Sequence, residues 1–150
     1  MFGVLDVSTS ALVAQRINLD TIAGNLANMN ATRDADGNPN PYRRRVALLA
    51  TGDPSRSESG GGRSGRLGES APGVHVAEIV QDPSPFRLVH DPNHPDAIQS
   101  GPDQGYVRMP NVDMSTEMIN ALWASRIYEA NTTVMEVTKD MMESSLRLLA

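Results

Sequence analysis

Four stretches of this 150-residue chain bring together side chains that could do chemistry. His90, Asp91, His94 and Asp96 combine imidazoles with carboxylates, the ligand types of a small zinc site, and metal-assisted hydrolysis is the reaction they would serve. Such a site also needs a third strong ligand and a regular element to fix its geometry. The segment offers neither, and its prolines mark a solvated turn. Gly60-Gly61-Gly62-Arg63-Ser64-Gly65 fits the spacing of a dinucleotide-binding loop, yet no strand leads into it and no helix leaves it. Asp34, Asp36 and Asn38 open like a calcium loop. However, Gly37 stands at the fourth position where that loop needs its glycine at the sixth, and Arg45 stands where the bidentate glutamate belongs. An acidic turn accounts for them better. Arg43-Arg44-Arg45 could hold a phosphate, but in a chain of formal net charge −5 an isolated basic triplet serves a protein contact or stays solvated. No serine has a nucleophile's setting and no carboxylate pair lies in apolar surroundings, so no catalytic residue, metal or cofactor is expected.

The regular elements lie at the two ends. All ten prolines fall between Pro39 and Pro110, which leaves both termini free to run as long helices. Leu5, Leu12, Leu19 and Leu26 recur every seven residues, with Ile22 and Met29 filling the intervening positions late in the run and the polar Ser8 and Gln15 filling them early. Toward the other end Trp123, Ile127, Ala130, Val134, Val137, Met141, Ser144 and Leu148 alternate by fours and threes, which keeps one helical face turned to a partner. Asp113 and Ser115 are candidate N-caps for this second helix. Glu117 in its first turn and Lys139 and Arg147 toward its end match the helix dipole. The two stripes predict an intramolecular pairing of the terminal helices.

Between them the pattern is that of strands and loops. Tyr42 to Thr51 reads as a strand with a basic start, preceded by a turn from Asp34 to Pro39. Residues 53–73 are glycine, serine and charge with almost nothing apolar, a flexible loop. Gly73 to Val80 alternates like a strand with Val74, Val76 and Ile79 inward, Phe86 to Val89 forms another short strand, and Asp91 to Pro110 reads as irregular. The fold class is therefore α+β. Paired N- and C-terminal coiled-coil helices (1–33 and 111–150) flank a small, β-rich, loop-rich middle domain (34–110).

Composition narrows the class further. Two Phe, three Tyr and one Trp build only a thin core, and the acidic balance argues against nucleic acid or an anionic membrane as partner. There is no cysteine, hence no disulfide or thiolate chemistry. No stretch approaches the roughly 20 apolar residues of a membrane span, and the N-terminus lacks the pattern of a cleaved signal peptide. The expected location is thus the cytosol, or beyond it by a route without signal cleavage.

Four motifs in order carry a resemblance. Leu19-Asp20-Thr21-Ile22-Ala23-Gly24-Asn25-Leu26-Ala27-Asn28, the segment around Tyr42-Arg43, Gly105-Tyr106-Val107-Arg108-Met109-Pro110-Asn111-Val112, and Arg126-Ile127-Tyr128-Glu129-Ala130-Asn131, with Glu117-Met118 between the last two, together resemble the flagellar basal-body rod protein family. The last two blocks and the short middle domain are most similar to its proximal-rod members. The likeness covers nearly the whole chain and departs from the family in two loops, the long one at 53–73 and a few extra residues between Asp96 and Gln104. The resemblance implies a structural, non-enzymatic subunit that polymerises helically into the drive shaft of the bacterial flagellum. Its partners would be itself, other rod proteins, the flagellar export apparatus, and adaptor or ring proteins of the basal body. It implies export without a cleaved signal, a rod that spans the periplasm, and terminal helices that line the inner tube.

The assembly helices are then represented by Leu12, Leu19, Ile22, Asn25, Leu26 and Asn28 at one end and by Leu122, Tyr128, Asn131, Val134, Val137, Met141 and Leu148 at the other. Val13, Ile17, Ile119 and Leu122 fall outside the intramolecular stripes and are expected to pack on neighbouring subunits. Two other readings compete with this one. A soluble coiled-coil adaptor would form stable helical dimers in dilute solution, and a small hydrolase using His90 and His94 would bind zinc stoichiometrically.

Overall fold

A computed structural model describes residues 2–52 and 73–149. In chain order it contains α1 (Phe2–Ala27), β1 (Arg45–Thr51), β2 (Val74–Gln81), β3 (Arg87–His90), β4 (Tyr106–Met109) and α2 (Met114–Leu149). Strands β1 and β2 form one two-stranded sheet and β3 and β4 another, so the fold is α+β, with helices at both ends and small sheets between them. The glycine run 60–65, and the loop read at 53–73 except for Gly73, lie outside the described residues.

Each helix ends or begins for a local reason. At the end of α1 the Asn28 backbone N–H and its Nδ2 both donate to the Gly24 carbonyl, at 3.2 and 2.8 Å, which occupies an acceptor that the helix would otherwise leave open. At the start of α2 the Asp113 carboxylate accepts from the Thr116 N–H at 3.1 Å and from its hydroxyl at 2.6 Å, so Asp113 is the N-cap. Neither glycine nor proline interrupts the 36 residues that follow.

The chain divides into two compact units. The first comprises Met1–Leu19, Ala47–Ile79 and Leu122–Ala150, and the second Asp20–Val46 and Val80–Ala121. In the first, Ser10 of α1 donates its hydroxyl to Val7 O at 2.7 Å and accepts from Val74 N at 3.1 Å, fixing the start of β2 on the helix. Gly73, just before β2, holds φ 141° and receives the Gly52 N–H at 3.0 Å, and His75 Nδ1 lies 2.9 Å from Gly52 O.

In the second unit β3 and β4 pair antiparallel, with His90 opposite Tyr106 and Arg87 opposite Met109. The stretch between them closes on itself: Asp91 N donates to Gly105 O, Gly105 N to Ile98 O, and Ile98 N to Tyr106 O, each at 2.9 to 3.0 Å. Strand β4 is thus a regular element inside the segment read as irregular. Its four residues carry only one buried apolar side chain, Val107, too little alternation to stand out. Ile79, expected inward, is exposed.

The apolar core is small: Ala14 and Ala124 are buried in the first unit, and Ile22, Val107, Pro110 and Val112 in the second. On α1 the covered face coincides with the heptad. Ser8, Gln15 and Ile22 are buried and the heptad leucines half-buried, while Asp6, Thr9, Val13, Arg16, Asp20 and Ala23 are exposed. On α2 the heptad reading must be corrected by one residue. Trp123, Ile127, Ala130, Val134, Val137, Met141, Ser144 and Leu148 are all exposed. The better-covered positions are Glu117, Ala121, Ala124, Asn131, Met135, Thr138 and Met142, which repeat the same four-and-three spacing one position along. This covered line is smaller and more polar than the exposed one. Hydrophobic period alone therefore selected the wrong face, because it ranks stripes by apolar content.

Candidate functional site

The residues that stand out chemically in the second unit form a buried polar clasp. Glu117, in the first turn of α2, has no solvent exposure, and Asn25, near the end of α1, has 1%. A buried carboxylate requires a partner charge and hydrogen bonds on both oxygens. Arg44 supplies the charge, its Nε donating to Glu117 Oε1 at 2.7 Å and a terminal nitrogen forming an ion pair with the same oxygen at 2.7 Å, while Asn25 Nδ2 donates to Oε2 at 3.0 Å. Asn25 uses the rest of its amide on β1 and the residues before it. Nδ2 donates to Arg45 O at 2.8 Å, and Oδ1 accepts from Arg45 N at 2.9 Å and from the Tyr42 hydroxyl at 3.0 Å. Two donors and two lone pairs are all occupied, the full capacity of an asparagine amide.

Further contacts extend from Arg44. Its remaining terminal nitrogen pairs with Asp82 at 3.2 Å, its backbone N–H donates to Asn111 Oδ1 at 2.8 Å, and its carbonyl accepts from Asp82 N at 2.9 Å. Asn111 Nδ2 reaches Asp82 O and Ser84 O, both at 3.3 Å. Among the described residues no buried side-chain nitrogen or oxygen lacks a partner. Burial alone would lower the Arg44 pKa, but hydrogen bonds and charge from Glu117 and then Asp82 outweigh it and hold the guanidinium above its ordinary value. Burial also pushes the Tyr42 hydroxyl up. The Ser84 hydroxyl and N–H, with Arg44 behind them, hold Asp82 below the ordinary carboxylate value.

The basic triplet is therefore not a patch. Arg43 lies 4.3 Å over the Phe86 ring and donates to Asp82 O and Ser84 O. Arg44 is the clasp cation, and Arg45 is exposed beside the Tyr42 ring. Sequence reasoning gave Glu117 only a helix-dipole role and missed its pairing with Arg44. The available signal was that Asn25, Tyr42 and Asn111 all sit inside the motifs quoted above, with Arg44 and Glu117 beside them.

The other chemical candidates separate. The Asp34 carboxylate accepts from the N–H groups of Asp36 and Asn38 at 3.1 and 2.9 Å, a local turn. His90 meets the edge of Tyr106 at a centroid distance of 5.0 Å. His94 Nδ1 accepts from Asp96 N at 3.1 Å, and Asp96 itself binds Arg33 and Thr32. Among the described residues no group of three or more His, Asp or Glu is placed to hold a metal, and no helix is long and apolar enough to cross a membrane.

The sequence-assigned helix positions fall into two sets. Ile22 and Asn25 are buried, and Leu12, Leu19, Leu26, Asn28 and Asn131 are partly covered. Asn131 Nδ2 donates to Ile127 O at 2.9 Å within its own helix. Leu122 at 63% exposure, Tyr128, Val134, Val137, Met141 and Leu148 face solvent, as do Val13 and Ile119. The α2 positions among them, together with Trp123 and Ile127, make an apolar surface that the described residues leave uncovered. Monomeric soluble proteins rarely expose so continuous a stripe.

Residues 5–33 match the protein family described as Flagella basal body rod protein, and residues 103–148 match the one described as Flagellar basal body rod FlgEFG protein C-terminal. The clasp residues Asn25 and Glu117 fall one in each matched region. Over nearly its whole length the chain is similar to proteins named flagellar basal-body rod protein FlgC. Identity is 41% over 149 residues to that of Bacillus subtilis, covering 98% of this chain and 97% of the relative. It is 40% over 159 residues to that of Borreliella burgdorferi, covering 99% and 97%, and 38% over 148 residues to that of Yersinia enterocolitica, with the same coverage.

Proposed function

The chain belongs to the FlgC family of flagellar basal-body rod proteins and is a structural subunit of the proximal rod, and from that premise we propose that it polymerises helically through its terminal helices to transmit torque. The observation that carries this reading is the exposed stripe of α2 from Trp123 to Leu148, about 38 Å long at the rise of an α-helix. Each large apolar side chain that a neighbour covers contributes roughly 1.5 to 3 kcal/mol, so a few of them, repeated from subunit to subunit, stiffen a tube against twist. In this reading the function is structural rather than enzymatic. The helical segments 1–33 and 111–150 pair as a coiled coil and line the tube, and the middle 34–110 packs outside them. The flagellar export apparatus delivers the chain without signal cleavage, and adaptor or ring proteins of the basal body are further partners.

The test is to image basal bodies from a strain whose own proximal-rod gene is replaced by this one, tagged in the middle segment. Tag density in the rod wall, with the helices inside it, is the expected result. A chain absent from basal bodies that forms stable helical dimers in dilute solution would replace the rod reading with that of a soluble adaptor.

A further inference from the structure

We infer, beyond the rod reading, that the second unit carries a docking cleft for an acidic, extended peptide segment of another protein. Two adjoining grooves of this unit, of about 550 and 450 Å³, share Arg33, Asn40, Pro41 and Phe86 in their linings. Arg108 lines the first groove, and Arg43 and Arg45 line the second. Arg44 is withdrawn into the clasp, yet its two chain neighbours meet in one groove.

Charge selects the occupant. Arg33, Arg43, Arg45 and Arg108 stand against two aspartates, Asp34 and Asp96, so the cleft is positive in a chain of formal net charge −5. Both carboxylates are already engaged, Asp34 by the N–H groups of its own turn and Asp96 by Arg33 and Thr32. Three of the arginines keep their charge to offer. Arg43 donates to the Asp82 and Ser84 carbonyls, which do not neutralise it, and Arg45 and Arg108 are exposed and make no ion pair among the described residues. A guanidinium binds a carboxylate by paired, charge-assisted hydrogen bonds, and arginines in both grooves call for at least two acidic side chains on the occupant. The rest of the lining suits a peptide. Pro39, Pro41, Pro95 and the Phe86 ring are apolar, while the exposed amides of Asn40, Gln81 and Gln99 can hydrogen-bond main-chain groups. A membrane surface is too flat to enter such grooves, and a nucleic-acid backbone needs a broad positive field that an acidic chain denies it.

The probe is a fluorescein-labelled peptide of alternating glutamate and proline, about 12 residues long, which stays extended. It is titrated with the full-length, unassembled chain and followed by fluorescence anisotropy. Saturable binding that weakens with salt is expected, and the same peptide with glutamine for glutamate should not bind. Arg45→Glu and Arg108→Glu change exposed side chains, so helix content by circular dichroism should hold while each weakens binding about tenfold. Arg147→Glu, the same change of net charge in the first unit, should leave binding unchanged. Absence of binding, equal binding of the glutamine peptide, or an equal loss in Arg147→Glu overturns the inference. Tighter binding of an oligothymidylate, lost through the same two substitutions, would replace the acidic peptide with a nucleic acid. Self-association of the parent chain that those substitutions abolish would make the occupant a second copy instead. The assay needs no assembly, so its failure leaves the rod function standing, and basal-body imaging reads that function separately.

Discussion

Asn25 and Glu117 lie 92 residues apart in sequence and share a hydrogen bond of 3.0 Å, with neither side chain open to solvent. Through it the end of the first helix, the residues leading into β1 and the first turn of the last helix are fixed to one another by groups that cannot be left unpaired.

Removing one member of the clasp should therefore cost far more than an exposed ion pair. Arg44→Met leaves the Glu117 charge buried, and Glu117→Ala removes the carboxylate that Asn25 Nδ2 and Arg44 Nε share, leaving Asn25 Nδ2 only Arg45 O and the Arg44 side chain only Asp82. Each is expected to destabilise the second unit by about 3 to 5 kcal/mol in urea unfolding. The double variant Arg44→Met/Glu117→Ala should lose less than the sum of its singles, because no uncompensated charge remains. Additive losses would show that the two side chains do not act as a pair.

Amide exchange should divide each terminal helix. Residues 20–27 and 114–121 are held by the clasp and should exchange slowly even in the dilute monomer, whereas α2 beyond Leu122, with its stripe uncovered, should exchange quickly until the rod assembles. Uniform protection along α2 in the monomer would contradict this division.

Much of this organisation was legible in the sequence. Proline placement delimited both helices, Asp113 marked the start of α2, and the leucine heptad located the covered face of α1. Strands β1, β2 and β3 appeared within a few residues of their places because alternation and flanking turns marked them. The clasp was not legible as chemistry. Asn25, Arg44 and Glu117 are separated by long stretches, and each has an ordinary local explanation as a helix polar residue, part of a basic triplet, or a dipole partner. The face of α2 was misassigned for a related reason. Apolar content marks what must be covered, but it does not say whether the cover comes from the same chain.

Gly73 tests the joint between α1 and β2. Its φ of 141° is a conformation that side chains rarely adopt, and a Cβ built there would stand 3.0 Å from Ser10 Oγ, the atom that accepts the Val74 N–H. Gly73→Ala should destabilise the first unit by about 1 to 3 kcal/mol. Thermal unfolding checks this, and an unchanged midpoint would show that the joint yields without cost.

Acid should loosen the second unit through its aspartates. Ser84 and then Arg44 hold Asp82 below its ordinary value of 3.8, the Arg33 and Thr32 hydrogen bonds do the same for Asp96, and Thr116 does so for Asp113. Each carboxylate binds its proton less readily folded than unfolded. The stability it contributes is complete above the ordinary value and drains away as pH falls below it through the folded value. Unfolding free energy measured against pH should thus drop below about pH 4, and Asp82→Asn should flatten that drop while lowering stability at neutral pH. A slope that the substitution leaves unchanged would remove Asp82 from the account.

The two faces of α2 can be separated by placing the same charge on each. From the heptad alone, Val134→Asp and Met141→Asp would break a contact within the chain and only Leu122→Asp a contact between chains. All three side chains are exposed, whereas Ala124 is 2% exposed. A carboxylate at 122, 134 or 141 remains solvated in the monomer, so helix content and unfolding free energy should stay within about 0.5 kcal/mol of the parent. Each variant should be exported and then fail to enter the rod, because assembly would bury its charge unpaired. Ala124→Asp buries its carboxylate in the chain itself and should lower stability in the isolated protein before assembly is at issue. Circular dichroism of the secreted proteins, read beside basal-body composition, separates the two outcomes. A motile strain with complete rods carrying Val134→Asp or Met141→Asp would show that the exposed stripe is not where subunits meet.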